Sequence, residues 1–316
     1  MKRLLSVILS FCLIWTLSGC TATDTIVFTD DAPFVITVDD GSLDILQLTD
    51  LHLTYGIDRR DRMTFDLISD LVAAEDWDLV VLTGDMMMSP SAPRLFRSLA
   101  SLMEELGTPW TFVFGNHDDD FHDKATLLDA MPATEHLLFK AGPAIEDGGV
   151  GNFEIRVESA GDAFAHLYFL DSKSERNDNG SDALDYDYLS TAQIAWYETK
   201  VEDDTASSAV FMHIPLQEYG DAVDYDGTFG EDKVYWQGIN TGFFDAMVTH
   251  GKSLGVFVGH DHLNDFSFMK DGILLAYGRA TGYNGYGSLE RGGRTIRIDS
   301  EGRLTSSIIT GEEVRT

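Results

Sequence analysis

Five apolar segments of the sequence each end at a residue that can bind a metal ion. These residues are Asp50 and His52, then Asp85, Asn116 and His213, and finally His260 and His262. Because ligands bind at the carboxyl ends of strands in α/β sheets, five such ends can converge on one crevice. The set offers carboxylate, imidazole and amide groups but no thiolate, which favours Zn, Fe, Mn or Co over a structural cysteine-type zinc site. The ligands suffice for two ions that share Asp85.

The spacing of the ligands suggests how pairs of them act together. Asp50 and His52 are two positions apart, as are His260 and His262. In an extended chain alternate side chains point the same way, so each pair is expected to chelate one ion.

A glycine precedes a ligand at three of the segment ends, at Gly84, Gly115 and Gly259. A residue without Cβ allows a strand to turn sharply at its end. We therefore expect sharp turns that present the ligands.

Hydrophobic periodicity predicts the elements that position these residues. Strands are predicted at Phe34–Val38, Leu43–Leu48, Leu79–Thr83, Trp110–Phe114, Phe153–Val157, His166–Leu170, Ala209–Met212, Leu254–Val258, Asp265–Met269, Ile273–Tyr277, Arg294–Ile298 and Leu304–Ile309, and helices at Arg62–Ala74, Arg94–Leu106, Thr191–Val201 and Phe243–His250. Strands and helices alternate at first, and a helix-free β-meander is predicted to end the chain. This order predicts two packed sheets flanked by helices, an α/β sandwich.

The N-terminus has the pattern of an export signal. Lys2 and Arg3 precede an apolar stretch over residues 4–17, which is too short to span a bilayer as a helix. The stretch ends in Leu-Ser-Gly-Cys at residues 17–20, which resembles a bacterial lipobox. We predict a lipoprotein signal peptide over 1–19, a lipidated tether over 20–33 starting at Cys20, and one domain over 34–316. The protein would then be exported and anchored to the bacterial cell envelope by lipid.

The charge balance restricts the partners of the chain. Its 316 residues include 22 basic and 53 acidic ones, a formal charge of −31. Such a field repels nucleic-acid backbones, so no nucleic-acid binding is expected. Of the two cysteines, Cys12 leaves with the signal and Cys20 carries lipid, so no disulfide is predicted.

The motifs together resemble the calcineurin-like metallophosphoesterases. Asp-x-His, Gly-Asp, Gly-Asn-His-Asp, His-x-Pro and Gly-His-x-His occur in that order between Asp50 and His262. The resemblance implies a four-layer αββα fold of two mixed β-sheets and two divalent or mixed-valence ions of Fe, Mn or Zn. It implies one metal site from Asp50, His52, Asp85 and His262, and a second from Asp85, Asn116, His213 and His260.

Within that family, the chain is most similar to the non-purple relatives of purple acid phosphatases. The similar segments are Leu189–Trp196, with Gln193, and the Gly/Tyr loop that ends at Gly287. Met88 stands where purple acid phosphatases have a ligating tyrosine, so no purple colour is expected. No arginine follows Asp85 closely, unlike in the protein Ser/Thr phosphatases.

These features predict a dinuclear-metal-dependent phosphomonoesterase that acts on a small phosphate ester. A hydroxide bridging the ions is expected to attack phosphorus, and His117 to protonate the leaving group. Asp118 is expected to orient His117. Arg279 and Tyr283 are expected to contact the phosphate or its leaving group.

Two other functions remain open at this level. One is a phosphodiesterase acting on a nucleotide or a phospholipid head group, and the other is a non-catalytic, metal-binding surface lipoprotein. The loop over 277–287 is compatible with turn chemistry or with lining the substrate site, and Met86–Met88 are expected to pack rather than form a substrate wall. The remaining histidines are predicted to be structural, at His122, His136, His166 and His250.

Overall fold

The computed structural model describes residues 29–132, 134–176, 185–202 and 205–315. The predicted signal peptide, Cys20 and the first part of the predicted tether lie outside the described residues. Two mixed β-sheets form the centre of the domain, and helices flank them, which confirms the predicted αββα sandwich. Within the described ranges, every helix is too short or too polar to cross a membrane.

The elements follow the predicted order closely. The strands are β1 Phe34–Thr37, β2 Ser42–Leu48, β3 Leu79–Thr83, β4 Trp110–Val113, β5 Phe153–Ser159, β6 Asp162–Phe169, β7 Glu175–Arg176, β8 Asp185–Tyr186, β9 Ser207–Phe211, β10 Ser253–Val258, β11 Ser267–Lys270, β12 Ile273–Tyr277, β13 Gly292–Asp299 and β14 Leu304–Thr310. The helices are α1 Arg59–Val72, α2 Ala92–Leu106, α3 Lys124–Asp129, α4 Thr191–Val201, α5 Phe243–His250 and α6 Gly311–Val314, with a 3₁₀ turn at Gln217–Asp221.

The strand order brings the ligand-bearing ends together. One sheet has the order β1-β5-β6-β9-β10-β12-β11, and the other β14-β13-β2-β3-β4. In the second sheet β2, β3 and β4 are parallel, and in the first β9 and β10 are parallel. Side chains such as Phe112, Phe169 and Phe257 belong to one buried apolar cluster that both sheets share. The carboxyl ends of these five strands carry the predicted ligands.

The end of the chain differs from the prediction. The expected β-meander is wrong, because β11 and β12 belong to the larger sheet whereas β13 and β14 belong to the smaller one. Strand β12 is largely buried and pairs in parallel with β10, which places it inside the sheet. A helix, α6, also follows the last strand, and Thr310 and Glu313 form a capping box at its start. Helix α3 was not predicted either.

Candidate metal centre

Six of the seven predicted ligands form two buried groups. The first contains Asp50, His52, Asp85 and His262, and the second contains Asp85, His213 and His260. Within each group the ligand atoms all lie within 4.8 Å of one another. The seventh ligand, Asn116, places Oδ1 3.1 Å from His213 Nε2. Asp85 belongs to both groups, as the sequence predicted.

The first group has the chemistry of a cation site. The Nε2 atoms of His52 and His262 lie 2.9 Å apart. Asp85 Oδ2 is 3.4 Å from His52 Nε2, and Asp50 Oδ1 is 3.4 Å from His262 Nε2. Buried carboxylates need a compensating charge, and converging imidazole and carboxylate donors fit a transition-metal ion. The residues present therefore fit the metal that the fold implies.

The second group is oriented by the backbone behind it. His213 Nδ1 lies 2.7 Å from the carbonyl oxygen of Thr83, which leaves Nε2 to face the cluster. That atom is 3.3 Å from Asp85 Oδ1 and 3.3 Å from His260 Nδ1. A hydrogen bond to the second ring nitrogen fixes the tautomer and direction of a ligating histidine. Thr83, at the end of β3, thus sets the direction in which His213 binds.

Burial prepares two of the imidazole rings for metal binding. It lowers the pKa of His52 to about 4 and that of His260 to about 3, so both rings are neutral near pH 7. At His213 burial acts in the same direction, but the neighbouring Asp85 outweighs it and raises the pKa to about 9. Burial opposes ionisation of Asp50 as well, but the neighbouring His262 lowers the pKa of that carboxyl to about 2. Neutral imidazole and ionised carboxylate are the forms that bind metal.

The backbone at the ligands is left-handed rather than extended. The φ angles of Asp50, His52, Asp85 and His260 are 54°, 44°, 52° and 84°. The prediction that Asp50 and His52 point the same way because the chain is extended is therefore wrong, although both do join one group. His260 and His262 join different groups, so the prediction that this pair chelates one ion is wrong. Such conformations cost about 1–3 kcal/mol each and cluster at functional sites.

The three glycines before the ligands act in two ways. Gly84 has a φ of +88°, so it makes the predicted turn. Gly115 and Gly259 instead allow close approach, since a Cβ would lie 2.3 Å from Asp85 Oδ1 and 2.0 Å from Thr49 Oγ1, respectively. A side chain at either position would displace the groups that hold the cluster.

His117 lies at the mouth of the cluster, but Asp118 does not orient it. The side chain of His117 is 40% exposed, and its Nδ1 contacts Asp120 Oδ2 at 2.9 Å. Asp118 is buried and accepts hydrogen bonds from the amides of Met87 and Gly115, at 2.9 and 2.8 Å. The prediction for Asp118 is wrong because its carboxylate points inward, where it joins the loops after β3 and β4.

A cavity of about 480 Å³ opens above the cluster. It is lined by His52, Asp85, Met88, His117, Tyr186, Glu231, Tyr235, His260, Asp261, His262, Asn284, Gly285 and Tyr286. Arg279 and Tyr283, predicted to contact substrate, do not line it. The Arg279 guanidinium pairs with the buried carboxylate of Asp265, and the ring of Tyr283 packs against the core. Both side chains are thus engaged elsewhere, and their contact with substrate stays a prediction.

Only part of the Gly/Tyr loop and one of the three methionines line the cavity. Asn284, Gly285 and Tyr286 line the cavity, so part of the loop faces the cluster. Met86 and Met87 are fully buried, whereas Met88 reaches the cavity wall. Sequence reasoning missed Tyr186, Glu231 and Tyr235, because no motif surrounds them.

The four histidines outside the motifs have protein partners. His122 contacts the carbonyl oxygen of Pro90, and His136, His166 and His250 contact Glu104, Glu154 and Glu198. In the part of the chain that the structure describes, none of them belongs to a metal-type group. The structural interpretation of these residues agrees with these contacts.

The two mixed sheets flanked by helices, with a buried cluster that fits a dinuclear metal site, are the features of the metallophosphoesterase fold. A family model for calcineurin-like phosphoesterases matches residues 43–264. The chain belongs to this family.

Curated relatives and solved structures agree with that assignment. The chain is 28% identical to "Probable inactive purple acid phosphatase 14" of Arabidopsis thaliana, over 79% of this chain and 73% of the relative. It is 31% identical to "Phosphatase DCR2" of Saccharomyces cerevisiae, over 76% of this chain and 48% of that protein. A dimetal phosphatase from Danio rerio has a similar fold, with a TM-score of 0.60 at 12% identity, covering 85% of this chain and 96% of that one.

Proposed function

We propose that the protein is a phosphomonoesterase that works with two metal ions. The observation that supports this is the convergence of six ligands in two groups that share Asp85, with Asn116 beside His213 and His117 at the mouth of the cavity. The yeast relative is named a phosphatase. The plant relatives are named probable inactive proteins, yet all five family motifs are present in this chain, each with its ligand residues. That complete set favours turnover over a purely metal-binding role.

The residues would divide the work as follows. Asp50, His52, Asp85 and His262 would hold one ion, and Asp85, Asn116, His213 and His260 the other. When bound, two such ions neutralise phosphate charge and lower the pKa of water. His117 would donate a proton to the leaving oxygen, and Asp120 would hold its Nδ1 so that Nε2 serves the substrate. Asp118 would hold the two ligand loops together.

The test is a hydrolysis assay on the domain over residues 34–316, loaded in turn with Mn, Zn, Fe and Co. We expect p-nitrophenyl phosphate to be hydrolysed with a higher kcat/KM than bis-p-nitrophenyl phosphate, because a monoester offers more oxygen atoms and more charge to two cations. Preference for the diester would instead support a phosphodiesterase. No turnover at two bound ions per chain would support the non-catalytic alternative.

We propose further that the protein is exported and anchored to the bacterial envelope through lipid on Cys20. Two residues near the end of the predicted tether are held against the domain, which would fix the point where the tether leaves it. Asp31 accepts hydrogen bonds from Trp196 Nε1 at 2.9 Å and pairs with Lys200 at 3.0 Å, while Asp30 pairs with Lys140.

Replacing Cys20 with alanine is expected to move the protein from the membrane fraction to the soluble fraction, because the thiol would no longer carry acyl chains. Fractionation and labelling with radioactive palmitate would measure this. Cys12→Ala is the matched control and should stay with the membrane and keep the label. Equal membrane retention of Cys20→Ala would rule out this anchor.

A further inference from the structure

One wall of the cavity is not explained by metal ligands or by His117. It consists of Tyr186, Tyr235, Tyr286 and Glu231, and we call it the tyrosine wall. Apart from Tyr286, which belongs to the Gly/Tyr loop, none of these residues belongs to a motif of the sequence. Three aromatic rings and a carboxylate beside a phosphate site require a reason, since a carboxylate repels phosphate.

Two of the rings stand directly beside the metal ligands. The ring of Tyr186 meets His260 edge to face at 4.4 Å between centroids, and the ring of Tyr286 stacks on His262 at 4.1 Å. One ring therefore neighbours each ligand group. A group bonded to a phosphate at the cluster would reach these rings first.

The carboxylate of the wall is fixed in place. Glu231 Oε1 accepts hydrogen bonds from the hydroxyl of Tyr286 at 2.6 Å and from the amide of Leu263 at 3.2 Å. Both bonds end on Oε1, so Oε2 remains for a ligand in the cavity. A positioned carboxylate next to aromatic faces is the arrangement that recognises alkylammonium groups.

A leaving group that carries a second phosphate would find fewer binding partners in this cavity than an alkylammonium group. Among the described residues that line the cavity there is no lysine or arginine to pair with a second phosphate, and Lys233 lies outside the lining with its Nζ 4.8 Å from the centre of the Tyr235 ring. The amide of Asn284 donates to Asp61 at 2.6 Å and to Thr54 at 3.4 Å, so it is not available to sugar hydroxyls. These observations disfavour leaving groups that carry further phosphates.

We propose that the tyrosine wall binds a positively charged alkylammonium leaving group, so that the substrate is the phosphate monoester of an amino alcohol. This inference rests on the proposed phosphomonoesterase function, which places the phosphate at the metal cluster. The ammonium would lie between the rings and Glu231 Oε2. The formal charge of −31 also favours a substrate with a cationic end.

The test compares two esters that differ only in charge, phosphocholine and its neutral analogue 3,3-dimethylbutyl phosphate. We expect kcat/KM for phosphocholine to be higher by on the order of tenfold, the range of one cation–π and carboxylate contact. In Glu231→Gln that ratio should fall towards one. Glutamine keeps an oxygen that accepts from Leu263, so the fold should be retained. Glu105→Gln, on an exposed carboxylate of α2 outside the cavity lining, is the matched control and should keep the ratio.

Binding of choline, measured by titration calorimetry, tests the wall without turnover. Choline should bind to the metal-loaded protein and bind more weakly to Glu231→Gln. Equal kcat/KM for the two esters in an active enzyme, or no choline binding, would overturn this inference and leave the phosphomonoesterase proposal intact. If choline binds but no ester is hydrolysed, the wall is supported and the proposed function fails.

Discussion

Replacing Asp85 with asparagine is expected to lower metal content below two ions per chain and to abolish most hydrolysis. Asp85 is the one residue present in both ligand groups, so its loss weakens both sites at once. Since metal ions supply several kcal/mol of charge stabilisation and 1.36 kcal/mol is tenfold in rate, kcat should fall by about a thousandfold or more. Elemental analysis of the purified protein and the p-nitrophenyl phosphate assay would measure the two effects.

Asp66→Asn is the matched control for this experiment. Asp66 is an exposed aspartate on α1 that belongs to neither ligand group and does not line the cavity. Its replacement removes the same charge. Metal content and kcat should therefore equal those of the wild type. If Asp85→Asn retained two ions and full activity, the shared-ligand interpretation of Asp85 would be wrong.

The sequence predicted the metal cluster well because the information is local. Each ligand follows directly after a buried strand, and strands β2, β3 and β4 are parallel neighbours, so their ends meet by rule. The same logic applies to β9 and β10. The continuous apolar segment Leu79–Thr83 also predicted a buried strand, and the structure confirms it.

The directions of individual side chains were not predictable from the same signals. Asp118 and Asp120 both lie near His117 in sequence, and only the turn after β4 decides that Asp120 contacts the ring. The left-handed φ angles of Asp50 and His52 likewise depend on the loop after the neighbouring strand β3, since the amide of His52 donates to the carbonyl of Asp85. The spacing of two residues between Asp50 and His52 does not predict these φ angles.

The outer cavity wall was the least predictable part of the site. Glu231 and Tyr286 are joined by a hydrogen bond although 55 residues separate them. Arg279 looked free in the sequence, but the fold buries Asp265 beside it and so occupies its charge. Such contacts depend on which loops the fold brings together. Neither secondary-structure propensity nor the spacing of residues in the sequence predicts them.

Replacing His117 with alanine is expected to slow hydrolysis without loss of metal. His117 lies at the cavity mouth, and it is absent from both ligand groups. A general acid contributes about 10²–10⁴-fold, so kcat for an alkyl phosphate should fall by that factor. The effect on p-nitrophenyl phosphate should be much smaller, because p-nitrophenolate is a weak base that leaves without a proton. Parallel kinetics on both esters, with elemental analysis, would measure this.

The contrast between the two leaving groups separates a proton donor from a residue that merely shapes the site. A structural role would slow both esters alike, and a metal-binding role would lower metal content. Asp120→Asn serves as the companion variant, because it keeps the His117 ring but loses the charge of its partner at Nδ1. Asp120→Asn should also slow the alkyl phosphate more than p-nitrophenyl phosphate, but by a smaller factor than His117→Ala. An equal loss for both esters in His117→Ala would assign the proton to another donor.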